Sequence, residues 1–144
     1  MAQTTPAEIT RAWFERVWNQ GDEAAIDELF APTGIAHGLP VQGDGKIKGP
    51  EAFKQFARVF KSAFPDLKIF ITKSLVEADH CAVHCDVVGN HKGDGLGIPA
   101  TGRPVRFSGI SIVRVDNGQI QEAWNCFDFL GLFQQLGVVS KPMT

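Results

Sequence analysis

The chain has 144 residues, 44% of them hydrophobic, which suits one domain with a sizeable core. Lys and Arg total 14 against 16 Asp and Glu, a net charge of −2, without the basic excess that a nucleic-acid or anionic-membrane surface needs. No apolar run approaches the about 20 residues that span a bilayer, "MAQTTPAEIT" lacks a signal-peptide pattern, and three cysteines are too few for a disulfide framework; the expectation is one soluble, cytoplasmic domain over residues 1–144 with reduced thiols.

In chain order, "TPAEITRAWFERVWNQGD" predicts a helix. Thr5 caps it, Pro6 suits its first turn and Glu8 completes a T-x-x-E capping box. Ile9, Trp13 and Val17 form an apolar stripe at i, i+4 and i+8, and Gly21 ends the helix. "DEAAIDELF" predicts a second helix capped by Asp22, with Ala25, Ile26 and Leu29 inward and Pro32 as its stop. "TGIAHGLP" reads as a short, interrupted extended segment and "VQGDGKIKG" as a polar turn region. "GPEAFKQFARVFKSAF" predicts a third helix with Phe53, Phe56, Ala57 and Phe60 buried, ended by Pro65. The hydrophobic period then falls from about 3.6 to 2. Strands are expected at "LKIFITKSLVEA", "CAVHCDVVGNHK", "VRFSGISIVRVD" and "QIQEAWNCFD". "DNGQ" marks a tight hairpin between the last two, "GDGLGIPATGRP" is a long loop, and "FLGLFQQLG" is a short closing helix or turn. The order implies an α+β fold: a bent antiparallel β-sheet wrapped over three N-terminal helices.

"DHCAVHCDVV" places two histidines and two cysteines close together. Zinc needs four ligands converging on one point. On a strand His80 and His84 face one way and Cys81 and Cys85 the other, with the cysteines about 13 Å apart. A disulfide needs Cα atoms within about 7 Å. The expectation is therefore no metal and no bridge, with two inward cysteines and two outward histidines.

"FPD", "GNHKGDGLGIPATGRPV" and "IVRVDNGQIQEAWNCFDFLGLFQQLG" resemble the SnoaL-like polyketide and ester cyclases of the nuclear transport factor 2-like superfamily. The resemblance runs from "WNQGD" to "QLG". It implies a cone-shaped fold around a mostly apolar pocket, a homodimer through the outer sheet face, and cofactor-independent aldol-type chemistry on a hydrophobic carbonyl compound. The expected pocket residues are Trp13, Val17, Ile35, Phe56, Phe60, Val83, Cys85, Gly109 and Phe127. The phenylalanine stripe of the third helix is core first and pocket wall second.

In the family an aspartate on the last strand handles the proton. Here Asn125 stands at that position, Ala123 where a histidine is common, and Asp128 at the pattern's second aspartate. An amide cannot act as general base, but it can donate a hydrogen bond to an enolate oxygen. The catalytic assignments are Asn125 as oxyanion donor, His37 as base, Ser111 as an orienting group and Asp128 as a supporting carboxylate. Each has a plainer reading: Asn125 as a satisfied buried amide, His37 as a strand tie, Asp128 as a helix cap. His91 is read as tying a strand end to the long loop. Relatives that rely on tyrosine, the ketosteroid isomerases and scytalone dehydratase, do not fit a chain without Tyr. The Arg-x-Asp and Asp set of limonene epoxide hydrolase falls on Cys85, Val87 and Asn125, which cannot do that work. No cofactor or metal is expected. The alternative to an enzyme is a non-catalytic module that binds a hydrophobic small molecule.

Overall fold

A computed structural model describes residues 5–139. The chain begins with helix α1 (Pro6–Ala12), which passes without a break into a π-helical stretch, Trp13–Asn19. Thr5 caps α1 by accepting from the Glu8 backbone N–H at 3.2 Å. The capping box closes differently from the usual form: the Glu8 carboxylate accepts from the Thr5 hydroxyl, at 3.0 Å. Gly21, at φ +68°, turns the chain into α2 (Glu23–Leu29). Asp22 precedes α2 but its side chain makes no cap; it pairs with Arg16 at 3.2 Å. Pro32 does not stop α2, because Phe30 is already extended and Pro32 lies inside strand β1 (Phe30–His37). The turn region after it contains a short strand, β2 (Lys46–Lys48). Helix α3 (Gly49–Ala63) follows, with its phenylalanines buried.

Four strands then succeed one another: β3 (Lys68–Glu77), β4 (His80–Asn90), β5 (Pro104–Asp116) and β6 (Gln119–Phe127), before the closing helix α4 (Phe129–Gln135). The β5–β6 turn carries Asn117 at φ +55° and Gly118 at φ +69°, the two positive angles of a type I′ hairpin. The six strands form one curled, open sheet in the order β2-β1-β6-β5-β4-β3. Every neighbouring pair is antiparallel except β1 with β6, which is parallel, so the sheet is mixed rather than purely antiparallel.

Helices cover one face of this sheet. The burial of β4 alternates at every residue from His80 to Asn90, as expected of a strand with one face against a core. Cys81 and Cys85 are fully buried, whereas His80 and His84 sit half-buried on the opposite face. Asn19 and Lys68 tie the helical layer to the edge of the sheet, and Lys61 of α3 ties two helical segments together. The Asn19 amide accepts from Ile69 N–H at 2.7 Å and donates to Ile69 C=O at 2.9 Å, standing in for a neighbouring strand beside β3. Lys61 and Lys68 donate to the carbonyls of Trp18 and Asn19, each at 2.9 Å, where the π stretch ends. Such carbonyls have no intrahelical donor, and a lysine supplies one.

Candidate active site

The inner sheet face is built by cross-strand pairs between β5 and β6: Gly109 with Phe127, Ser111 with Asn125, and Val113 with Ala123. A cavity lies between these residues and the helices. The empty space within it and in front of it, open solvent at the mouth included, totals about 660 Å³. Trp13, Phe56, Phe60 and Phe127 line it, as do Ser111 and Asn125. The remaining lining residues are apolar.

The π-helical stretch supplies three of the walls: Trp13, Phe14 and Trp18. In an α-helix, residues five apart diverge around the axis; the wider turn of i→i+5 hydrogen bonding lessens that divergence. The Gln20 N–H bonds to Glu15 C=O in that pattern, at 3.0 Å. Trp18 lines the cavity with Trp13, and Val17 lies on a separate shallow groove with Gly21, Ile26 and Ala57. The i, i+4 stripe read from sequence therefore named Val17 and missed Phe14 and Trp18. Phe30, Leu39, Phe107 and Phe129 were missed as walls as well. Their only sequence signal is aromatic or aliphatic character at strand and loop ends.

Four further expected wall residues lie off the cavity. Ile35 is on the other face of β1, because Ala36 between it and His37 points inward. Gly109 is roofed by Phe127, whose ring would meet a Cβ at 2.4 Å. Val83 and Cys85 are buried at 2% and 0% exposure, and the cavity does not reach them. Burial pushes the Cys85 thiol up to about 12, so it stays protonated.

Asn125 is held on both sides of its amide. Its Nδ2 donates to the His37 backbone carbonyl at 2.9 Å, and its Oδ1 accepts from the Ser111 hydroxyl at 2.9 Å. A carbonyl can only accept, which fixes which end of the amide is nitrogen. One hydrogen of the NH₂ group is thereby used, and the second is left for another partner. Ser111 is 1% exposed, while Asn125 is half-buried at the cavity.

His37 and Asn125 do meet, but through the histidine's backbone. The parallel register pairs Ala36 with Ala123 and His37 with Trp124, which turns the imidazole to the outer face. There Nε2–H donates to Glu122 Oε2 at 2.6 Å, and the ring stacks on Trp124 at 5.9 Å between centroids. A base in the cavity is incompatible with that direction. Asp128 caps α4, its Oδ1 accepting from Gly131 N–H at 2.9 Å, and is exposed away from the cavity. No carboxylate or imidazole among the described residues lines the cavity. His91 is fully buried at the root of the long loop: Thr101 N–H donates to its Nδ1 at 3.1 Å, so the ring proton is on Nε2, which has no partner. Among the described residues no three His, Cys, Asp or Glu side chains converge as a metal site, and no helix is long and apolar enough to cross a membrane.

Residues 8–136 match the family model of the SnoaL-like polyketide cyclases. The aklanonic acid methyl ester cyclase DnrD of Streptomyces peucetius is 34% identical over 138 residues, covering 93% of this chain and 92% of its own. The aklanonic acid methyl ester cyclase DauD of Streptomyces sp. (strain C5) is 31% identical over 119 residues, 80% of this chain and 68% of its own. Among solved structures, TsrD from Streptomyces laurentii superposes with a TM-score of 0.80 at 25% identity, covering 96% of this chain and 99% of its own. A SnoaL-like polyketide cyclase from Agrobacterium tumefaciens gives 0.74 at 18% identity over 94% of this chain and 100% of its own, a likeness of fold.

Proposed function

This chain belongs to the SnoaL-like polyketide cyclase family, and on that premise we propose that its cavity takes a small, hydrophobic, carbonyl-rich, polyketide-like molecule and promotes its cofactor-independent cyclisation or isomerisation. One observation carries the reading: the Asn125 amide, braced by Ser111 and the His37 carbonyl, has an N–H to spare beside an otherwise apolar cavity. A fixed donor in an apolar site stabilises negative charge on oxygen better than bulk water does, because it need not reorient.

In the proposed reaction a C–H bond between two carbonyls breaks, and its proton passes to water or to a basic group of the substrate. The electron pair moves onto the carbonyl oxygen, where Asn125 donates. The enolate carbon then bonds to a second carbonyl carbon, and the new alkoxide takes up a proton. Asn125 is the oxyanion donor and Ser111 the positioning residue. A homodimer through the outer sheet face accompanies this reading, supported by the exposed Ile110 and Ile112 of β5 and Leu75 of β3.

The test is deuterium uptake from D₂O into β-keto esters and anthracycline-like ring precursors. Wild type should accelerate exchange, and Asn125→Ala should lose about 100-fold of that acceleration, the scale set by removing one oxyanion donor. The second reading, a binding module without turnover, is favoured by the lack of a titratable side chain on the cavity wall. Saturable binding with no exchange above background in the wild type would select it.

A further inference from the structure

We propose that the β1–β2 connection, Gly38–Gly45, is a lid, and that Leu39 is the side chain a ligand must displace to reach the cavity. Of the residues lining the cavity, only Leu39, Asn125, Phe127 and Phe129 are half-buried; the rest are buried. Those four therefore frame the mouth. Asn125 and Phe127 belong to β6, locked into the β5 ladder. Phe129 opens α4, whose start is capped by Asp128. Only Leu39 stands on a connection between elements.

That connection is held at its roots and free between them. The pair His37–Lys46 closes its base. Among the described residues its own hydrogen bonds are internal, Val41 N–H to Leu39 C=O at 2.8 Å and Lys46 N–H to Asp44 Oδ1 at 3.0 Å. Gly38, at φ +81°, and Gly45, at φ +74°, stand at the two ends. A Cβ on Gly38 would lie 2.0 Å from the Asn125 carbonyl oxygen, so the root is pressed against the residue that recognises the ligand. What holds the segment shut is the packing of Leu39 and Val41 against the core.

The longer loop after β4 is built in the opposite way. His91 N–H bonds to Arg103 C=O at 2.9 Å and Gly102 N–H to His91 C=O at 2.8 Å. Lys92 and Gly93 N–H both reach Ala63 C=O, at 3.1 and 3.2 Å. Asp94 Oδ1 accepts from Ala100 N–H at 2.8 Å. A Cβ on Gly93 would sit 1.9 Å from Ser62 C=O, so this loop is bolted onto α3. Segments with few buried contacts and few external hydrogen bonds open first, and the shorter connection is the one with that description.

The lid rests on the cavity being a ligand site, and the experiment separates the two. Quinizarin, a neutral planar hydroxyquinone, serves as probe, followed by its visible absorbance in stopped flow. Leu39→Ala should bind and release it about tenfold faster, whereas Phe129→Ala should alter release and leave association within about twofold, since gating residues act on both rates. Hydrogen exchange on the unliganded wild type should show the Gly38–Gly45 amides exchanging faster than those of 91–104, and quinizarin should protect the former. Unchanged association in Leu39→Ala with binding intact, or equally slow exchange in the two loops, overturns the lid alone. Absence of binding in the wild type overturns the cavity as a ligand site, and the lid with it.

Discussion

A single amide decides how this site differs from a carboxylate site. In Asn125→Asp an acceptor oxygen would replace Nδ2 opposite the His37 carbonyl, now 2.9 Å away. Two acceptors repel, so the folded state favours the protonated acid and the carboxyl is held above its unfolded value. Such a group binds more protons in the native state, so stability falls as pH rises from the unfolded to the folded value. Urea unfolding should therefore show Asn125→Asp about 1–3 kcal/mol less stable than wild type at pH 8, the usual cost of an unsatisfied buried polar contact, and closer to it at pH 4. The same variant places an acid/base group in the cavity, and deuterium exchange should rise above wild type. Thiol chemistry gives a second expectation at this scale. Cys126 is exposed, while Cys81 and Cys85 are buried. Iodoacetamide should spare Cys81 and Cys85 in the folded protein and label all three thiols in urea.

The elements were legible where local chemistry sets them. Pro50 at the start of α3, the Asn-Gly hairpin and the strict alternation of β4 all act through nearest neighbours, and β3 to β6 fall within a residue or two of their expected bounds, whereas β1 starts three residues earlier than expected and β2 lies in the expected turn region. Two features were not legible, each because a distant partner decides it. The end of the π stretch is fastened by bonds that Asn19, Lys61 and Lys68 make to residues far off in the chain. The inward side of β1 follows from its parallel pairing with β6, across a register shift between Phe30 and Ile35. Alternation fixes only that Ile35 and His37 share a face, not which face. Asp128 is a different case, since its place before "FLGLF" already offers the cap beside the role of a supporting carboxylate; its local 2.9 Å bond to Gly131 N–H assigns the cap. Asp128→Ala should cost about 1 kcal/mol and Asp128→Asn little, as N-cap series do. The β3–β4 turn holds Ala78 at φ +52°, where a Cβ is strained. Thermal unfolding of Ala78→Gly should show a gain of up to about 1 kcal/mol, since relief of the left-handed penalty outweighs the added chain entropy.

At the scale of the molecule, the outer sheet face is the surface most at odds with a lone chain. Leu75, Ala82, Ile112, Trp124 and His37 stand in one row across five strands. Ile110 is 48% exposed and Leu75 75%. If a second copy covers this row, Ile112→Lys should halve the mass seen by sedimentation and leave the fold intact; an unchanged mass would remove the dimer from the proposal. Acid stability also has a defined contributor. The Asn90 side chain and backbone N–H groups hold the Asp66 carboxyl below its ordinary value. Its contribution is complete above the unfolded value and is lost as pH falls through the folded one. Asp66→Ala should therefore flatten the acid limb of stability against pH. The chain contains three tryptophans and no tyrosine, so ultraviolet emission excited beyond the absorption of its phenylalanines belongs to indole alone. Trp13 and Trp18 face the cavity and Trp124 the outer sheet. Light emitted from one chain thus reports two events in separate places: a molecule entering the cavity dims the first pair, and anything settling on the sheet shifts the third.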